Sequence, residues 1–96
     1  MALVFHGDPS VIDEPLVAVR LQGRDEAADC YVECRVAYKT LMDCYGAMGS
    51  APRKMLPAFE DHREQIEIAA IRKYEAGRVG RLPSGVVVVW IEVADL

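Results

Sequence analysis

The sequence predicts a two-layer α+β domain: a four-stranded, mainly antiparallel sheet with two helices on one face, in the order β-β-β-α-α-β. Three observations carry that prediction. In residues 55–77, MLPAFEDHREQIEIAAIRKYEAG, Met55, Phe59, Ile66, Ala69, Ala70 and Tyr74 recur at helical steps, with Glu60, Asp61, Glu64, Gln65, Arg72 and Glu75 opposite them. Residues 30–36, CYVECRV, alternate as a half-buried strand does, with Cys30, Val32, Cys34 and Val36 on one side and Tyr31, Glu33 and Arg35 on the other. Residues 86–93, VVVVWIEV, are an apolar run rich in β-branched side chains behind a Pro83-Ser84-Gly85 turn. Strands that precede helices, with one more strand after them, place the helices on one face of a single sheet.

Taken in order, residues 2–6 (ALVFH) form a short strand that stops at the turn formers Gly7-Asp8-Pro9-Ser10. After Asp13-Glu14-Pro15, residues 16–22 (LVAVRLQ) form a second strand ending at Gly23, and a hairpin joins it to the strand at 30–36. From Ala37 the period becomes helical, with Tyr38, Leu41, Met42 and Tyr45 on one side and Gly46 as the stop. Residues 47–54 connect to the long helix, in which Pro57 suits the first turn and Gly77 the C-terminal cap. Residues 78–85 read as a loop. The long helix lies across Val17, Val19, Leu21, Val32, Cys34 and Val36.

A chain of 96 residues is one domain, spanning 1–96, with no room for a separate substrate domain. Its 52% hydrophobic and 27% charged residues are those of a globular chain rather than a disordered one. A net charge of -4 and a pI near 5.1 argue against indiscriminate binding to nucleic acid or anionic membrane. The opening MALVFHGDPS lacks the basic and apolar regions of a signal peptide, and three cysteines without such a signal fit reduced thiols, so the expected location is the cytoplasm.

The opening VFHGD, the segment VECRVAYKTL, the helix AFEDHREQIEIAAIRKYEAG and the closing strand after a Ser-Gly turn together resemble the bacterial domain-of-unknown-function 1488 family. The most specific part is Ala58-Phe59, His62-Arg63, Ile66-Glu67 and Ala69-Ala70. The resemblance implies a small α+β domain of the proteobacterial cytosol with no established activity, and it brings no catalytic residues to carry over. The chain departs from the family pattern in a longer Gly/Arg loop at 77–85.

Each candidate functional residue also has a structural role open to it. His62 and Arg63 fall beside the apolar stripe, where an Arg fork and a His donor could bind a small anionic ligand, or where Arg63 could simply lie along the stripe while His62 bonds a loop carbonyl. Cys30 and Cys34, four residues apart on a strand, stand roughly 13 Å apart, too far for one tetrahedral metal, and a buried thiol at Cys34 is a poor nucleophile beside His62. The carboxylates Asp61, Glu64 and Glu67 read as a solvated helix face. No catalytic centre, metal or cofactor is therefore expected.

The sheet face away from the helices carries Leu16, Ala18, Arg20, Tyr31, Glu33, Arg35, Val86, Val88, Trp90 and Glu92, a mixture of apolar and charged groups that fits an interaction face or a solvated face with cross-strand Arg/Glu pairs. Tyr31, Val88 and Trp90 there, with Ile68 and Ile71 projecting toward the polar side of the helix, are the candidate interface residues. The expected role is a non-enzymatic accessory module that self-associates as a homodimer or binds a protein partner. The rival is a nucleic-acid-binding regulator that uses the sheet face or the Arg72, Lys73, Arg78 and Arg81 cluster, though net charge disfavours it.

Overall fold

A computed structural model describes residues 3–14 and 16–96 of the chain. Ala2, expected in the first strand, and Pro15, expected in the turn before the second, lie outside the described residues. The elements are β1 (Leu3–Ile12), β2 (Ala18–Asp25), β3 (Cys30–Ala37), α1 (Tyr38–Tyr45), α2 (Pro52–Asp61), α3 (Arg63–Glu75), β4 (Gly80–Arg81), β5 (Val87–Ile91) and a terminal 3-10 turn at Val93–Asp95.

The sheet order is β1-β2-β3-β5-β4. The first three strands are antiparallel neighbours, β5 runs parallel to β3, and β4 pairs antiparallel with β5. The sheet is thus five-stranded and mixed, where four mainly antiparallel strands were expected. The parallel step follows from the connection, because a chain that leaves β3 and crosses the sheet face through helices returns to the next strand position in the same direction.

Two strands run through residues that looked like stops. The Gly7-Asp8-Pro9 cluster forms a bulge rather than a turn: Gly7 has φ 76°, the register shifts between His6 and Ser10, and pairing with β2 then resumes through Ile12. Gly23 lies inside β2 because the aromatic ring of Phe5 packs on it, and a Cβ there would sit 2.8 Å from both Phe5 Cδ1 and the Val4 carbonyl oxygen.

The expected single helix over 55–77 is two helices. Its first part starts earlier, with Pro52 in the first turn and Pro57 inside α2, and the chain breaks at His62, where φ is -124° and ψ is 17°. The break lets each half follow its own part of the twisted sheet, α2 over β1 and β2 and α3 over β5. Gly46 (φ 67°) and Gly77 (φ 76°) follow α1 and α3 in the left-handed conformation expected of them.

The core joins both layers. Val19, Leu21, Val32, Cys34, Val36, Val87, Val89 and Ile91 from the sheet meet Leu41, Met55, Phe59, Ile66 and Ala70 from the helices, all buried. Burying Met55, Phe59 and Ile66 contributes roughly 1.5–3 kcal/mol each before conformational entropy is subtracted. No helix among the described residues is long and apolar enough to cross a membrane.

Candidate functional site

On the face away from the helices, Ser10, Arg20, Arg35 and Trp90 are direct register partners and form one row across β1, β2, β3 and β5. Two arginines placed directly opposite each other repel. Glu33 relieves that repulsion, with Oε2 2.5 Å from Arg35 Nε and Oε1 3.6 Å from Arg20 Nη1. Arg20 Nε also donates to Ser10 Oγ at 3.0 Å, and the Arg35 guanidinium carbon stands 5.5 Å from the centre of the Trp90 ring. Glu33 and Arg35 are buried by these contacts, so the row leaves one guanidinium, that of Arg20, within reach of a ligand.

The other candidates on this face divide. Tyr31 is 62% exposed and Trp90 half-buried, but Val88 is only 4% exposed, although it was expected on the open surface. Val88 lies between Glu33 of β3 and Gly80 of β4, inside the sheet rather than at its edge.

The helix layer holds a second surface. Cys44 and Tyr45 from the end of α1, Gln65, Ile68, Ala69 and Arg72 from α3, and Asp95 and Leu96 from the terminal segment enclose an open groove of about 420 Å³. Ile68 is 43% and Leu96 40% exposed along it. Ile71, also expected on the outer side of the helix, is instead half-buried and packs against the core, because α3 leans onto β5.

Two local networks shape that groove. The Tyr45 ring stacks on His62 with centroids 3.8 Å apart and planes at 6°, while its hydroxyl donates to Gln65 Oε1 at 3.4 Å. Burial, with some help from Cys44, raises the pKa of that phenol. At the far wall Lys73 Nζ donates to Asp95 Oδ2 at 2.8 Å and to the Trp90 carbonyl at 2.6 Å, which holds the terminal turn against α3. Asp95 also accepts the Glu92 N–H at 2.8 Å. Burial opposes ionisation of its carboxyl, but the Lys73 and Glu92 hydrogen bonds outweigh burial and hold its pKa below the usual range.

His62 and Arg63 are adjacent but turn to different partners. Arg63 Nε donates to Glu67 Oε2 at 2.7 Å, Nη2 to the Gly7 carbonyl at 3.0 Å, and Nη1 lies 3.5 Å from Glu60 Oε1. Its guanidinium therefore ties the helix break to the β1 bulge, and an anion would have to displace two carboxylates of the chain itself. The basic cluster is split in the same way. Lys73 is held by Asp95 and Trp90, and Arg81 Nη1 is 3.4 Å from the Gly85 carbonyl, whereas Arg72 and Arg78 are exposed.

A third cluster escaped the sequence reading. Asp25, at the end of β2, accepts the Tyr74 hydroxyl from α3 and the N–H groups of Ala27 and Ala28 at 3.0 and 3.1 Å, and Cys30 Sγ lies 3.6 Å from the same hydroxyl. The Tyr74 bond, followed by that from Ala28, lowers the pKa of Asp25, and the same bond, reinforced by burial, raises that of Tyr74. These groups clamp the β2–β3 hairpin to α3. The only sequence signal for them was the turn-forming character of Asp25. Cys34 is buried beneath α3, and burial, followed by the charges of Glu67 and Glu33, pushes its thiol up to about 12, which makes it unreactive. Among the described residues no group of three or more His, Cys, Asp or Glu side chains could hold a metal ion.

A family described as "Protein of unknown function (DUF1488)" matches residues 4–82, from β1 through β4. The crystal structure of a protein of unknown function from the same family, from Shewanella loihica PV-4, is similar with a TM-score of 0.72 and 19% identity, over 92% of this chain and 91% of that one. At that identity the likeness speaks for the fold alone. No curated protein matches the chain significantly. Because the family match takes in the bulged first strand, the hairpin and all three helices, the chain belongs to the DUF1488 family.

Proposed function

We propose that this chain is a non-enzymatic accessory module of the cytosol that works by self-association. The observation that carries the reading is Ile68, a large apolar side chain 43% exposed at the mouth of a groove walled by Tyr45 and Leu96. Exposed apolar surface of that kind, rimmed by polar groups such as Gln65 and Arg72, is what a second protein surface covers. Support also comes from how the chemically capable groups are used. Arg63, Arg35, Lys73 and the Asp25–Tyr74 pair are bonded within the fold, and the Cys34 thiol is pushed out of its reactive range.

Light scattering coupled to size exclusion tests the reading. A dimeric mass at moderate salt that persists at high salt is the expected result, since burial of apolar surface is not screened. A monomeric mass at both, at concentrations of hundreds of micromolar, would remove it.

A further inference from the structure

Glu64, Ile68 and Arg72 follow each other at four-residue steps along one ridge of α3, and all three are exposed. Of the other charges on this helix, Arg63 is paired with Glu60 and Glu67 and Lys73 with Asp95, which leaves Glu75 at its C-terminal end. Among the described residues neither Glu64 nor Arg72 takes part in an ion pair. The ridge thus carries an uncompensated negative charge, an exposed apolar residue and an uncompensated positive charge, evenly spaced.

We infer that two copies of the chain pair through α3 in antiparallel fashion, with a twofold axis at Ile68, so that Glu64 meets the partner's Arg72 and Arg72 meets the partner's Glu64. This rests on the self-association proposed above and names the surface that performs it. The spacing selects the direction. Four residues on either side of Ile68 lie about 6 Å along the helix, so an antiparallel pair brings unlike charges together twice, whereas a parallel pair would set like against like at both positions. Glu75 does not spoil the match. Its counterpart seven residues before Ile68 is Asp61, which belongs to α2 and leaves the α3 axis at the His62 break.

The centre of the contact is apolar. Ile68 packs against the partner's Ile68 over the mouths of the two grooves, each with Tyr45 and Leu96 alongside, so one surface supplies both the projecting ridge and the hollow beside it. That self-complementarity is what an isologous interface requires.

The test uses the full chain with Glu64→Arg, Arg72→Glu and the double variant, their dimer dissociation measured by sedimentation, with circular dichroism to follow the fold. Each single reversal sets like charges together at both contacts and should weaken the dimer by about tenfold or more at low salt. The double variant restores both pairs and should recover most of that loss. Mixing the two single variants should give a heterodimer tighter than either homodimer. One variant then carries a positive charge at both positions of the ridge and the other a negative charge at both, so each contact between them joins unlike charges. A dimeric wild type whose affinity is untouched by the reversals, with no preference in the mixture, would overturn the α3 pairing and leave self-association to another surface. A monomeric wild type would overturn both.

Discussion

At the scale of single residues, the Asp25–Tyr74 bond couples stability to pH. The Tyr74 hydroxyl and the backbone at Ala28 and Ala27 hold the Asp25 carboxyl below its ordinary value of about 3.9, outweighing the opposing effect of burial. A carboxylate with a depressed folded pKa adds stability that is fully present above its unfolded pKa and is lost as the pH falls through the folded one. Tyr74→Phe removes the largest of those causes. The variant should therefore be less stable than the parent in urea at pH 7, with the gap narrowing as the pH drops below about 4. A gap of constant size from pH 7 to pH 3 would show that Tyr74 acts through packing alone. Neither partner could be read as such from the sequence: 49 positions separate them, and only the folded chain brings Tyr74 on α3 to the end of β2.

At the scale of elements, close packing decides several features that composition misjudges. Gly23→Ala would place a methyl 2.8 Å from backbone and ring atoms of β1, so the β1–β2 pair would have to part. A loss of roughly 1–3 kcal/mol in urea unfolding is expected, the usual range for overpacking. Unchanged stability would mean that β1 sits more loosely on β2 than this contact implies. Glycine and proline looked like stops at 7–9 and at 23, yet they serve a bulge and a close ring contact, because their meaning depends on the neighbouring strand. Alternation in 30–36, the period change at Ala37 and the glycines after α1 and α3 were legible, since those signals are local. The two-residue β4 and the break at His62 were not. Both depend on what lies opposite, β5 in one case and the division of the helix between two parts of the sheet in the other.

At the scale of the whole molecule, the candidate interface residues divide between opposite faces. Tyr31 and Trp90 lie on the sheet, where Arg20, Glu33 and Arg35 compensate one another, and Ile68 lies on the helix layer beside the groove. The exposure of Ile68 could be read from the helical period alone. The burial of Ile71 and Val88 could not, because it depends on how α3 leans and on β4 pairing beside β5. The groove was also out of reach, since its walls come from α1, α3 and the terminal segment. The central claim is that α3 meets its own copy at Ile68. Helices packed at about 8–10 Å bring residues on the crossing point within the roughly 4.4–6.8 Å Cα range that a disulfide spans. The most direct measurement is oxidation of Ile68→Cys in a chain with Cys30→Ser and Cys44→Ser, the buried Cys34 left in place, beside Tyr31→Cys in the same background. A covalent dimer from the Ile68 variant with a monomer from the Tyr31 variant is the predicted result. The reverse pattern would contradict the claim and move the interface to the sheet.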